Sequence, residues 1–395
     1  MAIAAASTAA HKRPGPGPRV MYLQYTNPAA YPPLEHSASI LAEAGCDVLL
    51  IGTGVPNEPL KFRQSDRIRV KLMPFEPGGW RQKVHYAKFA SWAAAASREW
   101  QPDWVYVSDP LACPAALALG QLLDTRFIYH EHDSPALDAG TQSAFMRVVL
   151  SARRAVAARA ALCVLPNDER ADIFRQQTGR RDGVVTVWNC PMRGEADVKR
   201  QTAASPALKV LYHGSIVPAR LPAAVVDALA TLPERVSLVI AGYETAGHPG
   251  YVDALRRRAR ELGVADRLTF TGTIPTRDEL MRQCRTCDVG LALLPSESTD
   301  LNERAMVGAS NKAFDYLACG LALLVSDIPG WRETFAEPGF ARACDPASPP
   351  SIAAALRWLL DHPDECLEMG ERGRQRIAAD WNYDHQFAPV LARIV

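Results

Sequence analysis

Short apolar segments alternate with longer segments of helical periodicity along almost the whole chain. From Arg19 onward, runs such as DWVYVSD (103–109) and LKVLYHG (208–214) are followed by segments in which apolar side chains recur every three or four positions. Strands of about five residues separated by helices imply right-handed crossovers and a parallel sheet covered by helices on both faces. The sequence therefore predicts an α/β protein built from doubly wound, Rossmann-like sheets.

The alternation breaks once, in the polar segment CPMRGEADVKRQTAASPA (190–207), and then resumes. A chain of 395 residues is also long enough for two domains of ordinary size. After the second series, helical periodicity continues to the C-terminus, and we expect the last helix to pack back on the first domain. The predicted organisation is a disordered tail (1–18), a first domain (19–195), a linker (196–207), a second domain (208–380) and a returning helix (381–395).

Charge and cysteine content bound the classes of function. Lys and Arg number 44 and Asp and Glu 43, so the net charge is +1, which is far from the basic excess of a protein that binds duplex nucleic acid. The sequence has no apolar run long enough for a membrane span. Its nine cysteines are scattered through apolar segments, which favours buried thiols and a cytoplasmic location. Cys284 and Cys287 have no second pair nearby, so we expect no metal site.

Residues that follow the strands are the candidate binding residues, because ligands bind beyond the carboxyl ends of the strands in open parallel sheets. A glycine there lets a ligand approach the backbone closely, and an arginine offers a planar set of donors suited to phosphate. In the second series the candidates are Gly214, Ser215 and Arg220 after the first strand, Gly242, Tyr243 and Glu244 after the second, and Ile274 after the third.

The segment VGASNKAFDYLACGLALLVSD (307–327) has the pattern of a helix that runs through a glycine turn into a buried strand. A helix N-terminus presents unpaired N–H groups and about half a positive charge, so it favours anions. With Gly214 and Arg220, this helix start predicts a diphosphate site made from two βα turns, and Asp315 lies one turn further on to accept hydrogen bonds from sugar hydroxyls. The candidates at the helix start are Gly308, Ala309, Ser310, Asn311 and Lys312.

A structural interpretation of the same segment stays open. Asn311 would then cap the helix, Lys312 would be a solvated surface charge, and Asp315 would only complement the helix dipole.

The predicted strand RFIYHEHD (126–133) ends in two histidines and two acids. Strict alternation places His130 and His132 on one face and Glu131 and Asp133 on the other. We expect His132 to face the cleft between the domains and contact the transferred group, with Asp133 on the acceptor side. The alternative is a histidine whose hydrogen bonds are satisfied within the fold. A metal site here would need a third ligand, and none is evident.

The loop QYTNPAAYPP (24–33) follows the first strand of the first series and lies on the same side of its sheet. Asn27 and Tyr31 are therefore candidates for contact with an acceptor. A plain turn explains both residues equally well.

Several motifs of other enzyme classes are absent. No strand is followed by Gly-x-Gly-x-x-Gly, and neither Gly-x-x-x-x-Gly-Lys-Ser/Thr nor Gly-x-Ser-x-Gly occurs, which argues against a dinucleotide dehydrogenase, a P-loop nucleotidase and a serine hydrolase. No Asp-x-Asp stands at a strand end. This argues against a metal-chelated diphosphate and favours neutralisation by Arg220, Lys312 and helix dipoles.

Residues 205–390 carry motifs that, in this order, resemble the GT-B fold glycosyltransferases of glycosyltransferase family 4. In the first domain the resemblance is looser and rests on IYHEHD, which places His132 at the family's active-site histidine. The motifs of the second domain are HGSIVPARL (213–221), LVIAG (238–242), LTFTGTIPTRDEL (268–280), SNKAFDYLACGLALLVSD (310–327) and DWNYDHQF (380–387).

The resemblance implies two Rossmann-like domains that face each other across a cleft, with the C-terminal helix crossing back to the first domain. It implies that the first domain binds the acceptor and that the second binds a nucleoside-diphosphate sugar as co-substrate, with no further cofactor. Arg220 and Lys312 would stabilise the diphosphate, Ile274 would lie in the nucleobase loop, and His132 would orient the sugar.

This chain departs from the family's pattern in three places. Val307 stands where the family usually has the first of two glutamates, and Asp315 stands at the second. Because valine cannot bind a sugar hydroxyl, we expect the backbone at 308–310, or Asn302 or Glu303, to contact the donor sugar. Ser310 replaces a proline, and TNPAAYPP (26–33) replaces a Gly-Gly turn.

The expected function is therefore that of a retaining, metal-independent glycosyltransferase. It would move a sugar from a UDP- or GDP-sugar to a hydroxyl of a carbohydrate, lipid-linked or small-molecule acceptor, in the synthesis of cell-surface polysaccharide or glycoconjugate. One alternative is a sugar-nucleotide 2-epimerase of the same fold, for which Asp133, Glu131 and Glu244 are the candidate acid and base groups. Another alternative is a non-catalytic nucleotide-sugar binding protein.

A peripheral contact with the inner face of the membrane is a further expectation. Residues 80–99 combine basic and aromatic side chains on one predicted helix, among them Trp80, Arg81, Lys83 and Lys88. Such a helix can lie on an anionic bilayer. A solvated helix that packs its tryptophans inward is the alternative.

Overall fold

The structure is a computed structural model that describes residues 17–54, 60–63, 65–77, 79–135, 143–200, 206–245 and 247–395. Most of the predicted N-terminal tail (1–16) and the middle of the predicted linker (201–205) therefore lie outside the described residues.

The first domain is a parallel sheet with helices packed against it. Its strands are β1 (Arg19–Gln24), β2 (Asp47–Thr53), β3 (Ile68–Met73), β4 (Trp104–Ser108), β5 (Arg126–His130), β6 (Leu162–Leu165) and β7 (Val184–Thr186). Its helices are α1 (Pro32–Glu43), α2 (Trp80–Trp100), α3 (Cys113–Leu122), α4 (Ala144–Arg159) and α5 (Asp168–Thr178). The strand order is β3-β2-β1-β4-β5-β6-β7, so the direction of winding reverses between β1 and β4.

The second domain repeats this architecture with six parallel strands. They are β8 (Leu208–Ile216), β9 (Val236–Glu244), β10 (Leu268–Gly272), β11 (Val289–Ala292), β12 (Ala322–Ser326) and β13 (Ala341–Cys344), in the order β10-β9-β8-β11-β12-β13. The helices are α6 (Ala224–Ala230), α7 (Tyr251–Glu261), α8 (Arg277–Cys284), α9 (Leu301–Arg304), α10 (Asn311–Ala318), α11 (Pro329–Trp331), α12 (Pro349–Asp361), α13 (Pro363–Ala379) and α14 (Tyr383–Ile394).

The predicted doubly wound α/β architecture is confirmed, and burial explains why its pattern was legible. Every residue of β4 and of β12 is buried, because helices cover both faces of each sheet and leave no solvent face. All nine cysteines are also buried and free. Among the described residues, no helix is both long and apolar enough to cross a membrane.

The C-terminal helix α14 returns to the first domain, as predicted. Its apolar side Tyr383, Phe387, Val390 and Ile394 belongs to the same buried cluster as Leu34 of α1. The expected bounds of the two domains and of the linker stay a prediction, although β8 does begin at Leu208.

One strand escaped prediction. The strand β13 has four residues, pairs only with β12 and includes the exposed Arg342. A short edge strand of this kind gives no sustained apolar run, so the sequence pattern around it shows nothing.

Candidate active site

A cavity of about 390 Å³ lies between the carboxyl ends of the two sheets and is lined from both domains. The loop after β1 and the turn after β5 line one side, and the turns after β8, β9 and β10 and the start of α10 line the other. The predicted site residues that line it are Tyr31, His132, Asp133, Gly214, Ser215, Arg220, Gly242, Tyr243, Ile274, Ala309, Ser310, Asn311 and Lys312. We call the side from the first domain the acceptor wall (Tyr31, His132, Asp133) and the side from the second the donor wall (Gly214, Arg220, Ile274, Lys312).

Gly214, Arg220 and Lys312 form a cationic end of the donor wall. Gly214 has φ +106°, which other residues rarely adopt, and a Cβ at this position would lie 2.8 Å from Cε of Lys312. Glycine is therefore needed both for the turn and for the close approach of the lysine. Burial, and next the charge of Arg220, lowers the pKa of Lys312 to about 7. An anion bound against its Nζ would restore the charged form.

The start of α10 adds backbone donors to this cationic end. Ser310 is the N-cap residue, but its side chain makes no capping hydrogen bond. Asn311 is the first helical residue, and its side chain hydrogen-bonds Asp315. The interpretation of Asn311 as the helix cap is therefore wrong, and the N–H groups of the first turn donate to no capping side chain among the described residues.

Asp315 lies behind the donor wall. Its carboxylate is fully buried and accepts a hydrogen bond of 2.7 Å from Nη2 of Arg277, which also donates to Glu195 at 2.9 Å. Nε2 of His213 lies 3.6 Å from the same carboxylate. Although burial opposes its charge, Asp315 and Glu195 raise the pKa of Arg277 further above its ordinary value. The carboxylate of Asp315 therefore holds Arg277 in place, and Arg277 itself lines the cavity, whereas a contact between Asp315 and sugar hydroxyls stays a prediction.

His132 occupies the acceptor wall and has an unusual lack of partners. It is 4% exposed, and neither ring nitrogen has a hydrogen-bond partner among the described residues. Its ring lies 3.9 Å from the ring of His130 and 5.5 Å from that of Tyr31, measured between centroids. Burial, and next the charge of Arg170, lowers its pKa to about 3. His132 is therefore a neutral imidazole with donor and acceptor capacity left for a ligand.

The predicted alternation holds for Glu131 but not for Asp133, which lines the cavity together with His132. His130 and His132 face each other, whereas Glu131 points into the core and is bound by Arg153 at 2.5 and 2.7 Å. Tyr129 donates to the same carboxylate.

Asp109 holds the acceptor wall in shape and was missed in the sequence. It follows β4 with φ +65°, a strained conformation for a residue with a side chain. Its Oδ1 accepts hydrogen bonds from the backbone N–H groups of His132 at 2.8 Å and Asp133 at 3.4 Å. Burial, and next the charge of Asp133, raises its pKa to about 7. The one available signal was an acid at the end of DWVYVSD.

Three other predicted residues have structural roles and do not line the cavity, so their assignment as binding residues stays a prediction. Oδ1 of Asn27 accepts from the N–H of Ala29 and caps a short turn. Glu244 accepts from the N–H groups at Gly250 and Val252 and so holds the start of α7. Gly308 is buried, with φ +77°, and a Cβ there would lie 2.7 Å from the carbonyl oxygen of Pro166.

Contacts between the domains hold the segment around Gly308, which does not line the cavity although the next residues, Ala309 and Ser310, do. The side chain of Asn302 exchanges two hydrogen bonds with the backbone of Ser134. Arg170, at the start of α5, donates to the carbonyl groups of Ala305, Asn302 and His132. The segment that precedes α10 is therefore bound by the first domain. The side chain of Asn302, which we expected to contact the donor sugar, is hydrogen-bonded to the backbone of Ser134 instead.

The cavity continues past Arg277 toward Ile274. The N–H of Lys61 donates to the carbonyl of Pro275 at 2.8 Å, so the first domain also closes over this end. Glu35 lines the cavity here, and burial raises its pKa. Arg277, Lys61 and Glu35 were not predicted as site residues; only Arg277, inside TIPTRDEL, stood at a strand end where a basic residue could have been noticed.

Both halves of the chain match known families of sequence. Residues 195–376 match the family "Glycosyl transferases group 1", and residues 34–190 match the family "Glycosyl transferase 4-like domain". The two matched segments correspond to the donor-wall and acceptor-wall halves of the molecule.

Individual relatives agree with this assignment. Glycogen synthase of Mycobacterium tuberculosis is 25% identical over 389 residues, which cover 89% of this chain and 86% of that protein. The GDP-mannose-dependent alpha-(1-6)-phosphatidylinositol monomannoside mannosyltransferase of the same species is 28% identical over 192 residues, 48% of each chain. The crystal structure of Anabaena HepE in complex with UDP-glucose has a TM-score of 0.68 at 15% identity and covers 95% of this chain and 100% of that one. This protein therefore belongs to the group 1 glycosyltransferases of glycosyltransferase family 4 and has the GT-B fold.

Proposed function

We propose that this glycosyltransferase moves a sugar from a nucleoside-diphosphate sugar to a hydroxyl group with retention of configuration and without a metal ion. The observation that carries the proposal is the cationic end of the donor wall, where Lys312 lies against Gly214 and feels the charge of Arg220, beside the start of α10, whose N-cap side chain makes no capping bond. Two cations and a helix N-terminus are suited to a diphosphate.

In the proposed reaction the bond between the sugar C1 and the diphosphate oxygen breaks, and the acceptor oxygen forms a new bond to C1 on the same face. The leaving phosphate oxygen takes the proton of the acceptor hydroxyl, so no carboxylate base is needed. Lys312, Arg220 and the α10 N–H groups stabilise the negative charge that develops on the diphosphate. Lys312 gains its proton as this charge comes close, since burial holds its free pKa near 7.

The acceptor wall orients the sugar. His132 is neutral and its ring nitrogens are unpartnered within the described part of the chain, so one sugar hydroxyl would satisfy it. Tyr31 and Asp133 line the same side of the cavity, and we propose that they contact the acceptor. On the donor wall we propose that Ile274 contacts the nucleobase. The remaining contacts with the nucleotide sugar would come from Ser215, Gly242, Tyr243, Ala309, Ser310 and Asn311.

The donor is proposed to be a UDP- or GDP-sugar. Of the relatives, one is named for GDP-mannose and one structure holds UDP-glucose. We propose a carbohydrate, lipid-linked or small-molecule acceptor and a role in the synthesis of cell-surface polysaccharide or glycoconjugate in the cytoplasm.

The epimerase alternative loses two of its three candidate groups. Glu131 is buried in an ion pair with Arg153, and Glu244 holds the start of α7. Asp133 alone lines the cavity, and its carboxylate is 68% exposed. One solvated carboxylate does not make an acid and base pair of different affinities for protons.

Contact with the membrane is proposed for the start of α2. Trp80 is 73% exposed and Val84 is 46% exposed, whereas Trp92 and Trp100 pack toward the core. Arg81, Lys83 and Lys88 are exposed on the same helix. A Trp80→Ser variant should sediment less with vesicles of anionic lipid than the native protein, and equal sedimentation of both would contradict the proposal.

The central test is a thermal-shift screen with UDP, GDP, ADP and dTDP, followed by turnover with the matching sugar nucleotides. A ligand at 100 times its Kd should stabilise the fold by about 2.7 kcal/mol. The anomeric configuration of the product, read by NMR, decides retention, and turnover in EDTA decides the metal question. Inversion, or activity lost in EDTA and restored by a divalent cation, would overturn the corresponding part of the proposal.

A further inference from the structure

A second cavity, of about 400 Å³, lies beside the same segment that precedes α10 and shares no lining residue with the donor cleft. We propose that it binds a neutral sugar ring of a glycan. Its lining comes from the start of α5 and from Trp188 on the first-domain side, and from the loops after β11 and β12 on the other. Crevices between domains of this volume are common places for small ligands.

Two tryptophans give this cavity an aromatic lining. Trp331 is 3% exposed, and its Nε1–H has no acceptor among the described residues. Trp188 is half-buried and lies on the opposite side. An indole N–H that is buried normally finds a partner, and leaving one unpaired is costly. A ligand oxygen within reach would remove this cost, and the half-buried Trp188 offers apolar surface to the carbon side of a sugar.

Charge argues against an anionic ligand here. Asp168, Glu169 and Glu303 line the cavity and face one cation, Arg304, among its described lining residues. The donor cleft has the opposite arrangement, with Lys312 and Arg220 together. Phosphate would be repelled, whereas sugar hydroxyls can donate to carboxylates and accept from the arginine and the indole N–H.

The second cavity is physically separate from the donor cleft. Nδ2 of Asn167 donates to the carbonyl groups of Ala305 and Val307, and Asn189 bonds the carbonyl groups of Gly308 and Ala309. These bonds make a partition of backbone between the two spaces. Val307, which stands where the family usually has a sugar-binding glutamate, lines the second cavity and not the first.

The test is saturation-transfer NMR with glucose, mannose and N-acetylglucosamine as separate probes, each measured first without and then with a saturating nucleoside diphosphate. We expect signal from at least one sugar in the native protein, with binding about tenfold weaker in Trp331→Phe, which keeps the ring and removes the N–H. Glu303→Gln should weaken binding as well, without touching the core. Trp358→Phe, which alters a tryptophan stacked on His362 in α12, is the matched control and should bind like the native protein.

Three results would overturn the inference: no signal from any of the three sugars, a signal that the nucleotide abolishes, or a signal that both substitutions leave unchanged. Glu303→Gln keeps the test decisive if Trp331→Phe proves unstable. A thermal shift by the nucleotide, measured on the same samples, reports the donor cleft separately, so failure here leaves the proposed transferase reaction to its own test.

Discussion

The two walls of the cleft recognise different chemical groups, and the sequence predicts their residues to different degrees. The donor wall combines cations with a glycine turn, Gly214, and an uncapped helix start, all of which are local in sequence. The acceptor wall contains a neutral His132 whose ring nitrogens have no hydrogen-bond partner among the described residues. Its turn is fixed by Asp109, which follows the neighbouring strand. Recognition of a diphosphate needs charge that composition and spacing reveal, whereas recognition of hydroxyls needs polar atoms that tertiary packing leaves unpaired.

The donor wall depends on a buried ion-pair framework in which Arg277 binds both Asp315 and Glu195, and removing its centre should have the largest effect. Arg277→Ala leaves the buried Asp315 and the largely buried Glu195 without their partner. We expect a loss of about 3–5 kcal/mol in the free energy of unfolding, measured by urea denaturation. Arg235→Ala, in a surface pair 3.8 Å from Asp361, should change stability by less than about 1 kcal/mol. Equal losses of unfolding free energy in the two variants would mean that the Arg277 ion pairs do not stabilise the fold more than a surface pair does.

Loss of charge at the cationic end should come next. Lys312→Ala and Arg220→Ala should each lower kcat/KM by about 2–3 kcal/mol with the cognate sugar nucleotide, because each removes a charge-assisted bond to the diphosphate. The matched control is Lys209→Ala, an exposed lysine on β8, the strand that carries Gly214. Near-native turnover of both cavity variants would refute their proposed role.

A smaller effect is expected on the acceptor wall. His132→Ala removes a neutral hydrogen-bonding group, so kcat/KM should fall by about 1.5 kcal/mol, and His132→Asn should recover part of the loss. Because burial holds the pKa of His132 near 3, the pH profile of the residual activity should keep the native shape. A profile that loses an inflection near neutral pH on this substitution would mean that His132 does titrate during turnover.

How much the sequence predicts differs between the fold and the site for the same reason. The strands β4 and β12 are apolar throughout and were found, whereas β13 is too short and too exposed at Arg342 to give a signal. At the donor wall, Gly214 and Lys312 could be predicted as binding residues from their residue type and their position after a strand or at a helix start. By contrast, no residue type shows that Asp315 will be taken by Arg277, since that pairing joins two helices far apart in the sequence.

Contacts across the domain interface were the least predictable part. The segment PNDER (166–170) after β6 has the pattern of an ordinary helix start, yet Asn167 and Arg170 in it hold the backbone that precedes α10. Their hydrogen bonds turn Gly308 away from the cavity and create the second one. A sequence pattern within one domain carries no information about which carbonyl groups the other domain will present. Only the folded arrangement therefore shows what Asn167 and Arg170 bind and where Gly308 lies.

Lys312 should change its protonation state when the ligand binds near neutral pH, whereas His132 should not. The free lysine has a pKa of about 7, lowered from 10.5 by burial and by Arg220, and a bound diphosphate raises it again. Above pH 7 the complex therefore holds a proton that the free protein has lost, so the Kd of a nucleoside diphosphate should rise by up to about tenfold, or 1.4 kcal/mol, per pH unit. Below pH 7 both states are protonated, and this contribution is flat.

Calorimetry in two buffers of different ionisation enthalpy measures the same effect as proton uptake, which should grow from about half a proton at pH 7 toward one at higher pH. Lys312→Arg keeps a permanent charge and should abolish both the uptake and the slope, whatever it costs in affinity. If the arginine variant retains the dependence of Kd on pH, another group on the donor wall titrates, and Lys312 is not the group that takes up a proton when the diphosphate binds. If the slope disappears only in this variant, the difference between the walls is one of protonation as well as of charge: the donor wall takes up a proton with its ligand, and the acceptor wall does not.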